Sequence, residues 1–187
     1  MTSTSLLSRE RALVVVIDMQ EAYRSVLHGW DAVAVHVRTL VEGAALLGVP
    51  VLVTEQYPKG LGGTASEIAA VLPPGTTVVQ KLSMSCCGAP PFVERLRASG
   101  RSQVLVAGIE THACVTQTVL ELLGAGYETH VARDATSSRR AASIEPAWQR
   151  MLAAGMSATT VEQALLEAVR SAEAPEFKPL QRLLKTL

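Results

Sequence analysis

Six short apolar runs rich in β-branched residues punctuate the chain: Ala12 to Ile17, Val49 to Thr54, Thr77 to Gln80, Gln103 to Gly108, Glu128 to Ala132 and Ser157 to Thr160. They read apolar almost throughout rather than alternating, which is the pattern of strands covered on both faces in a parallel sheet. Segments with helical spacing separate them. Val33, Val37, Leu40, Val41 and Ala44 recur on one stripe, for which Asp31 is the expected cap and Gly48-Val49-Pro50 the stop. A short crossover over 64–72 ends at Pro73-Pro74-Gly75, and further helices are expected over 90–98, 113–125, 144–154 and 161–170, with glycine or proline near their ends.

Repeats of this kind specify an α/β fold, a three-layer doubly wound domain with a six-stranded parallel sheet, in which ligands bind beyond the carboxyl ends of the strands. The 187 residues suit one domain over 1–187, with 1–11 as an N-terminal tail. Residues 171–187 form a C-terminal helical extension carrying Phe177, Leu180, Leu183 and Leu184 on one side. That apolar side is expected to pack on the body or on a neighbouring subunit, and because it and the exposed crossover helices need cover, a homo-oligomer is expected.

Charge and composition narrow the partners. Lys plus Arg equal Asp plus Glu at 17 each, and the basic residues are scattered, which leaves no field for nucleic acid or a membrane surface. No apolar run approaches the roughly 20 residues of a membrane span. The N-terminal residues lack the apolar stretch of a secretory signal, and three cysteines make no disulfide framework, so the expected compartment is the cytoplasm.

Three reactive groups stand where apolar runs end. Asp18 closes the first run, Lys81 follows the third, and Cys114 opens the helical segment after the fourth. A thiol at a helix N-terminus faces backbone N–H groups that favour the thiolate. A part-buried Asp18 needs a partner, and Lys81 can supply that charge. Beside a cysteine, such a pair can accept the thiol proton and hold the thiolate in place. His112 is the rival base, but two residues from Cys114 it points elsewhere and is expected at the pocket mouth. Cys86 and Cys87 are read as packing residues in a loop. His28, His36 and His130 lack companions at ligand spacing, so no metal is expected.

Asp18-Met19-Gln20, the isolated Lys81 and Gly108-Ile109-Glu110-Thr111-His112-Ala113-Cys114-Val115 resemble the isochorismatase-like cysteine hydrolases in order and spacing. Thr54-Glu55-Gln56-Tyr57-Pro58-Lys59-Gly60-Leu61-Gly62, Asp134-Ala135-Thr136-Ser137-Ser138-Arg139 and Pro175-Glu176-Phe177-Lys178 look like the isochorismatase domain-containing subgroup. The resemblance implies the isochorismatase-like hydrolase fold, an Asp18-Lys81-Cys114 triad and a cis Ile109–Glu110 peptide. It also implies an oxyanion hole from the Glu110 and Cys114 N–H groups.

Departures narrow the chemistry. Metal-dependent nicotinamidases of this superfamily carry a histidine motif after the second strand, whereas this chain has no histidine between His36 and His112. True isochorismatases lack the nucleophilic cysteine. Met84 stands where relatives place an aromatic, which alters the pocket. The expected activity is therefore a cofactor-free, cysteine-dependent cleavage of a small amide or related C–N bond through a thioester. Tyr23 and Gln56, each beyond a strand's carboxyl end, and His112 are the expected substrate contacts. The alternatives are a silent binding or regulatory module on a hydrolase fold, and a thiol redox sensor in which Cys86 or Cys87 resolves Cys114.

Overall fold

The computed structural model describes residues 6–187. Its sheet is six-stranded with every pairing parallel, in the order β3-β2-β1-β4-β5-β6. The strands are β1 (Ala12–Ile17), β2 (Val51–Gln56), β3 (Thr77–Lys81), β4 (Gln103–Ile109), β5 (Glu128–Ser137) and β6 (Ser157–Thr159). The chain winds outward from β1 to β3, then returns to place β4 on the other side of β1. Strand order therefore reverses between β1 and β4, and a ligand crevice opens at such a switch point.

Alternate residues of β1 enter opposite cores, which explains why the whole strand is apolar. Val14 and Val16 join Val37, Leu40, Leu165 and Leu180 on one face, against α1 (Trp30–Leu46), α7 (Val161–Val169) and α8 (Phe177–Leu184). Leu13, Val15 and Ile17 join Phe92, Leu96, Val119, Leu122, Trp148 and Met151 on the other. That face is covered by α4 (Pro90–Ala98), α5 (Thr116–Gly124) and α6 (Ile144–Ala153). Two single-turn helices, α2 (Pro58–Leu61) and α3 (Ser66–Ala69), make up most of the β2–β3 crossover. Among the described residues, no helix is long and apolar enough to cross a membrane.

Several boundaries differ from those expected. Gly29, in the left-handed region at φ 68°, occupies the N-cap of α1, and Asp31 lies inside the first turn. The backbone conformation there favours glycine over any side-chain cap. β5 runs to Ser137, past the expected Ala132, because its pairing with β4 shifts from Val106–Val131 to Gly108–Thr136. That irregularity carries Ser138 and Arg139 to the same edge as the end of β4. Residues 1–5 of the expected tail lie outside the described residues; Leu7 is buried, and its N–H donates to Glu167 at 2.8 Å. Leu180 of the C-terminal extension is also fully buried, so this segment packs on the body of the protein.

Candidate active site

At the end of β1, Asp18 adopts φ 51°, a left-handed conformation that aspartate tolerates better than most residues. Strand register then sets its partners. Ile17 pairs with Thr54 and Gln56 pairs with Lys81, so the side chains just beyond β1, β2 and β3 meet at one edge. The Thr54 hydroxyl donates to Asp18 Oδ1 at 2.7 Å, and Lys81 Nζ donates to Asp18 Oδ2 at 2.7 Å. Lys81 Nζ also donates to Gln56 Oε1 at 2.7 Å, to Met84 O at 3.1 Å and to Ser83 O at 3.2 Å. The pair is almost dry, with side-chain exposures of 0% for Lys81 and 2% for Asp18. Burial opposes the ammonium charge, but the Asp18 carboxylate, through its charge and its hydrogen bond, outweighs it, and the Lys81 pKa lies above its ordinary value.

The other wall is the end of β4. Gly108 has φ 109°, and a Cβ there would lie 2.1 Å from the Ile17 carbonyl oxygen, so only glycine lets β4 close against β1 at this point. The Ile109–Glu110 peptide that follows is cis. The Glu110 carbonyl then accepts from the Ala113 and Val115 N–H groups at 3.0 and 3.2 Å, opening a π-turn over Thr111–Val115 ahead of α5. Such wide turns recur at functional sites because they reposition side chains relative to an α-helical path.

Cys114 sits on this π-turn, 7% exposed, and near enough to Asp18 and Lys81 for both charges to act on its thiol. Its thiol pKa is pushed up to about 11, first by burial and then by the Asp18 charge, with Lys81 offsetting only part. The expected thiolate-favouring α-helix N-terminus is thus corrected: the turn is of π type, and burial beside a carboxylate favours the thiol. At neutral pH the resting group is a thiol.

The rim comes from three loops. Tyr23 ends a single 3₁₀ turn over Glu21–Tyr23 and is half-buried. Its phenol pKa is raised, first by burial and then by the charge of Glu110. His112 is exposed, with Nδ1 at 2.9 Å from Ser138 Oγ. Glu110 accepts from the Arg139 backbone N–H at 2.9 Å and from Arg139 Nε at 3.1 Å on each oxygen. Among the described residues, no cluster of histidine, cysteine and carboxylate side chains fit to hold a metal occurs.

The isochorismatase domain model matches residues 12–163, which takes in every group named above. The chain belongs to the isochorismatase family. It is 39% identical over 191 residues to isochorismatase domain-containing protein 1 of Danio rerio, with 98% of this chain and 64% of the relative covered. The chain thus spans under two thirds of that relative's length. The secreted isochorismatase effector Isc1 of Phytophthora sojae is 39% identical, with 93% of this chain and 84% of the effector covered. Among solved structures, the MAR1 ribonuclease of Caenorhabditis elegans is 34% identical and superimposes with a TM-score of 0.93, covering 97% of this chain and 93% of the other. The architecture is that of the isochorismatase-like hydrolases.

Within this isochorismatase-family site, Asp18, Lys81 and Cys114 come together, and Tyr23 and His112 stand on the rim. Gln56 is placed differently from the expected substrate contact. It is 9% exposed, and its amide is committed to Lys81 and to the Leu82 carbonyl at 2.9 Å, so it positions the ammonium. Cys86 is a packing residue, as expected, on a single 3₁₀ turn over Cys86–Gly88. It is fully buried, with Sγ 3.7 Å from Thr54 Oγ1, the hydroxyl that donates to Asp18. Thr54 and Arg139 stand in the two stretches that carry the subgroup resemblance, but nothing along the chain assigns either of them a partner at the site.

Proposed function

We propose that this protein is a cysteine hydrolase of a small amide or related C–N bond, acting without metal or cofactor. The observation that carries the reading is a buried carboxylate–ammonium pair at the switch between β1 and β4, with a buried thiol on the turn that follows β4 and within the influence of both charges. A thiol held near pKa 11 is a poor nucleophile until a base removes its proton. Asp18 takes that proton as Cys114 Sγ attacks the substrate carbonyl carbon. The tetrahedral oxygen is held by the Glu110 and Cys114 N–H groups. Collapse breaks the C–N bond, and the proton on Asp18 leaves with the amine or ammonia.

The second half repeats the sequence with water. Asp18 accepts a proton from water, hydroxide attacks the thioester, and the C–S bond breaks to release the acid. The Asp18 proton then returns to Cys114. Lys81 stays protonated throughout, fixing the carboxylate and limiting charge build-up in a dry site. Tyr23 and His112 line the approach.

The test is ammonia release from a panel of small primary amides by the wild-type protein and by Cys114→Ala. Turnover confined to the wild type supports the reading. Equal turnover by both removes the thiol, and silence across the panel, with Cys114 unreactive toward iodoacetamide, favours the binding module.

A further inference from the structure

The polar side chains of the site fall into two sets. On the floor, Thr54, Asp18, Lys81 and Gln56 are bonded to one another or to nearby carbonyls. They hold the machinery and have little capacity left for the distant end of a substrate. On the rim, donors remain open. Arg139 engages Glu110 through its backbone N–H and its Nε, which uses one of the five N–H groups of a guanidinium. Among the described residues its Nη atoms have no hydrogen-bond partner, and neither has the Tyr23 hydroxyl.

The Glu110–Arg139 pair is also oriented. Glu110 is 6% exposed and Arg139 57%, so the negative end lies beneath the surface and the cation faces out. Arg139 is tied to Glu110, which stands four residues before Cys114 at the end of β4, and its neighbour Ser138 meets His112, so the guanidinium stands at the rim on the nucleophile's side. Asp18 and Glu110 balance Lys81 and Arg139, so the site as built accommodates one additional negative charge better than two. A planar, singly charged acceptor fits paired Nη donors.

We propose that the preferred substrates are amides whose far end carries a carboxylate, held by the Arg139 Nη atoms with the Tyr23 hydroxyl, and that Arg139 is the specificity-determining residue. This rests on the amide-hydrolase reading above for its turnover arm only. The carboxylate contact is one an isosteric methyl cannot make, and a charge-assisted pair of this kind is worth about tenfold to a hundredfold.

The experiment compares succinamate with butanamide, which differ in a terminal carboxylate against a terminal methyl. Wild type is expected to favour succinamate at least tenfold in kcat/KM, mainly through KM. In Arg139→Gln the ratio falls to near one, and in Tyr23→Phe, which leaves Glu110 untouched, it falls severalfold. No preference in wild type overturns the proposal, as does an Arg139→Gln variant in which both amides slow together with the ratio kept, because Arg139 then acts only through Glu110. If neither amide turns over, the wider amide panel and Cys114 alkylation judge the hydrolase reading separately. Calorimetry with succinamate then decides the present proposal: Cys114→Ala binds it at least tenfold more tightly than Cys114→Ala/Arg139→Gln does, and equal binding overturns it.

Discussion

The Thr54 hydroxyl donates to Asp18 Oδ1 across the β1–β2 pairing, so one carboxylate oxygen is fixed by a neutral donor while Lys81 holds the other. This leaves the carboxylate a single orientation toward Cys114. Thr54→Val keeps the shape of the side chain but removes the donor. The expected result is a kcat lowered about tenfold with KM little changed, and a stability loss of about 1–3 kcal/mol from the unsatisfied buried acceptor. Steady-state kinetics and thermal melting check it.

Removing Lys81 leaves a buried charge alone. Lys81→Met is expected to cost about 3–5 kcal/mol, because breaking a buried pair leaves Asp18 uncompensated. Thermal or denaturant unfolding measures the loss. Turnover of the same variant is expected to fall below detection, since Cys114 also loses the charge that offsets Asp18.

Gly108 is a second structural test. Alanine there meets Ile17 backbone atoms at 2.1 to 2.8 Å in a conformation that L side chains rarely adopt. Gly108→Ala is expected to lose at least about 3 kcal/mol or to fail to yield soluble protein, as judged by expression and thermal melting.

Much of the layout was legible because it rests on periodicity and position. Continuous apolar runs in β1 and β4 mark strands buried on both faces, and the residues ending β1, β3 and β4 had to share an edge. The identity of the π-turn was not legible, since Thr111–Val115 continues without break into helical spacing and only the Glu110 carbonyl bonds distinguish it. The partners of Gln56 and Arg139 escaped for a related reason, although both residues were singled out in the sequence. Their roles depend on strand register and on the irregular β4–β5 pairing, which place side chains across the sheet without any pattern along the chain.

The raised thiol pKa values carry a pH dependence of stability. Cys114 is held at about 11 against an ordinary 9, and Cys86 is pushed up to about 12, in both cases first by burial. Groups whose pKa is raised in the folded state give stability that is whole below the unfolded pKa and is lost as pH rises through the folded value. The melting temperature is therefore expected to fall between about pH 9 and 12. Cys114→Ala should lessen the fall, and a melt series across that range checks it. In the same range iodoacetamide labelling of Cys114 should accelerate roughly tenfold per pH unit up to its pKa.

Acid-quenched intact-mass analysis during turnover tests the central claim most directly. With an amide the protein hydrolyses, the account predicts a protein species heavier by the acyl group, mapped to the peptide bearing Cys114 and absent from Cys114→Ala. Turnover at full rate with no such adduct, or with the adduct on another residue, would contradict it.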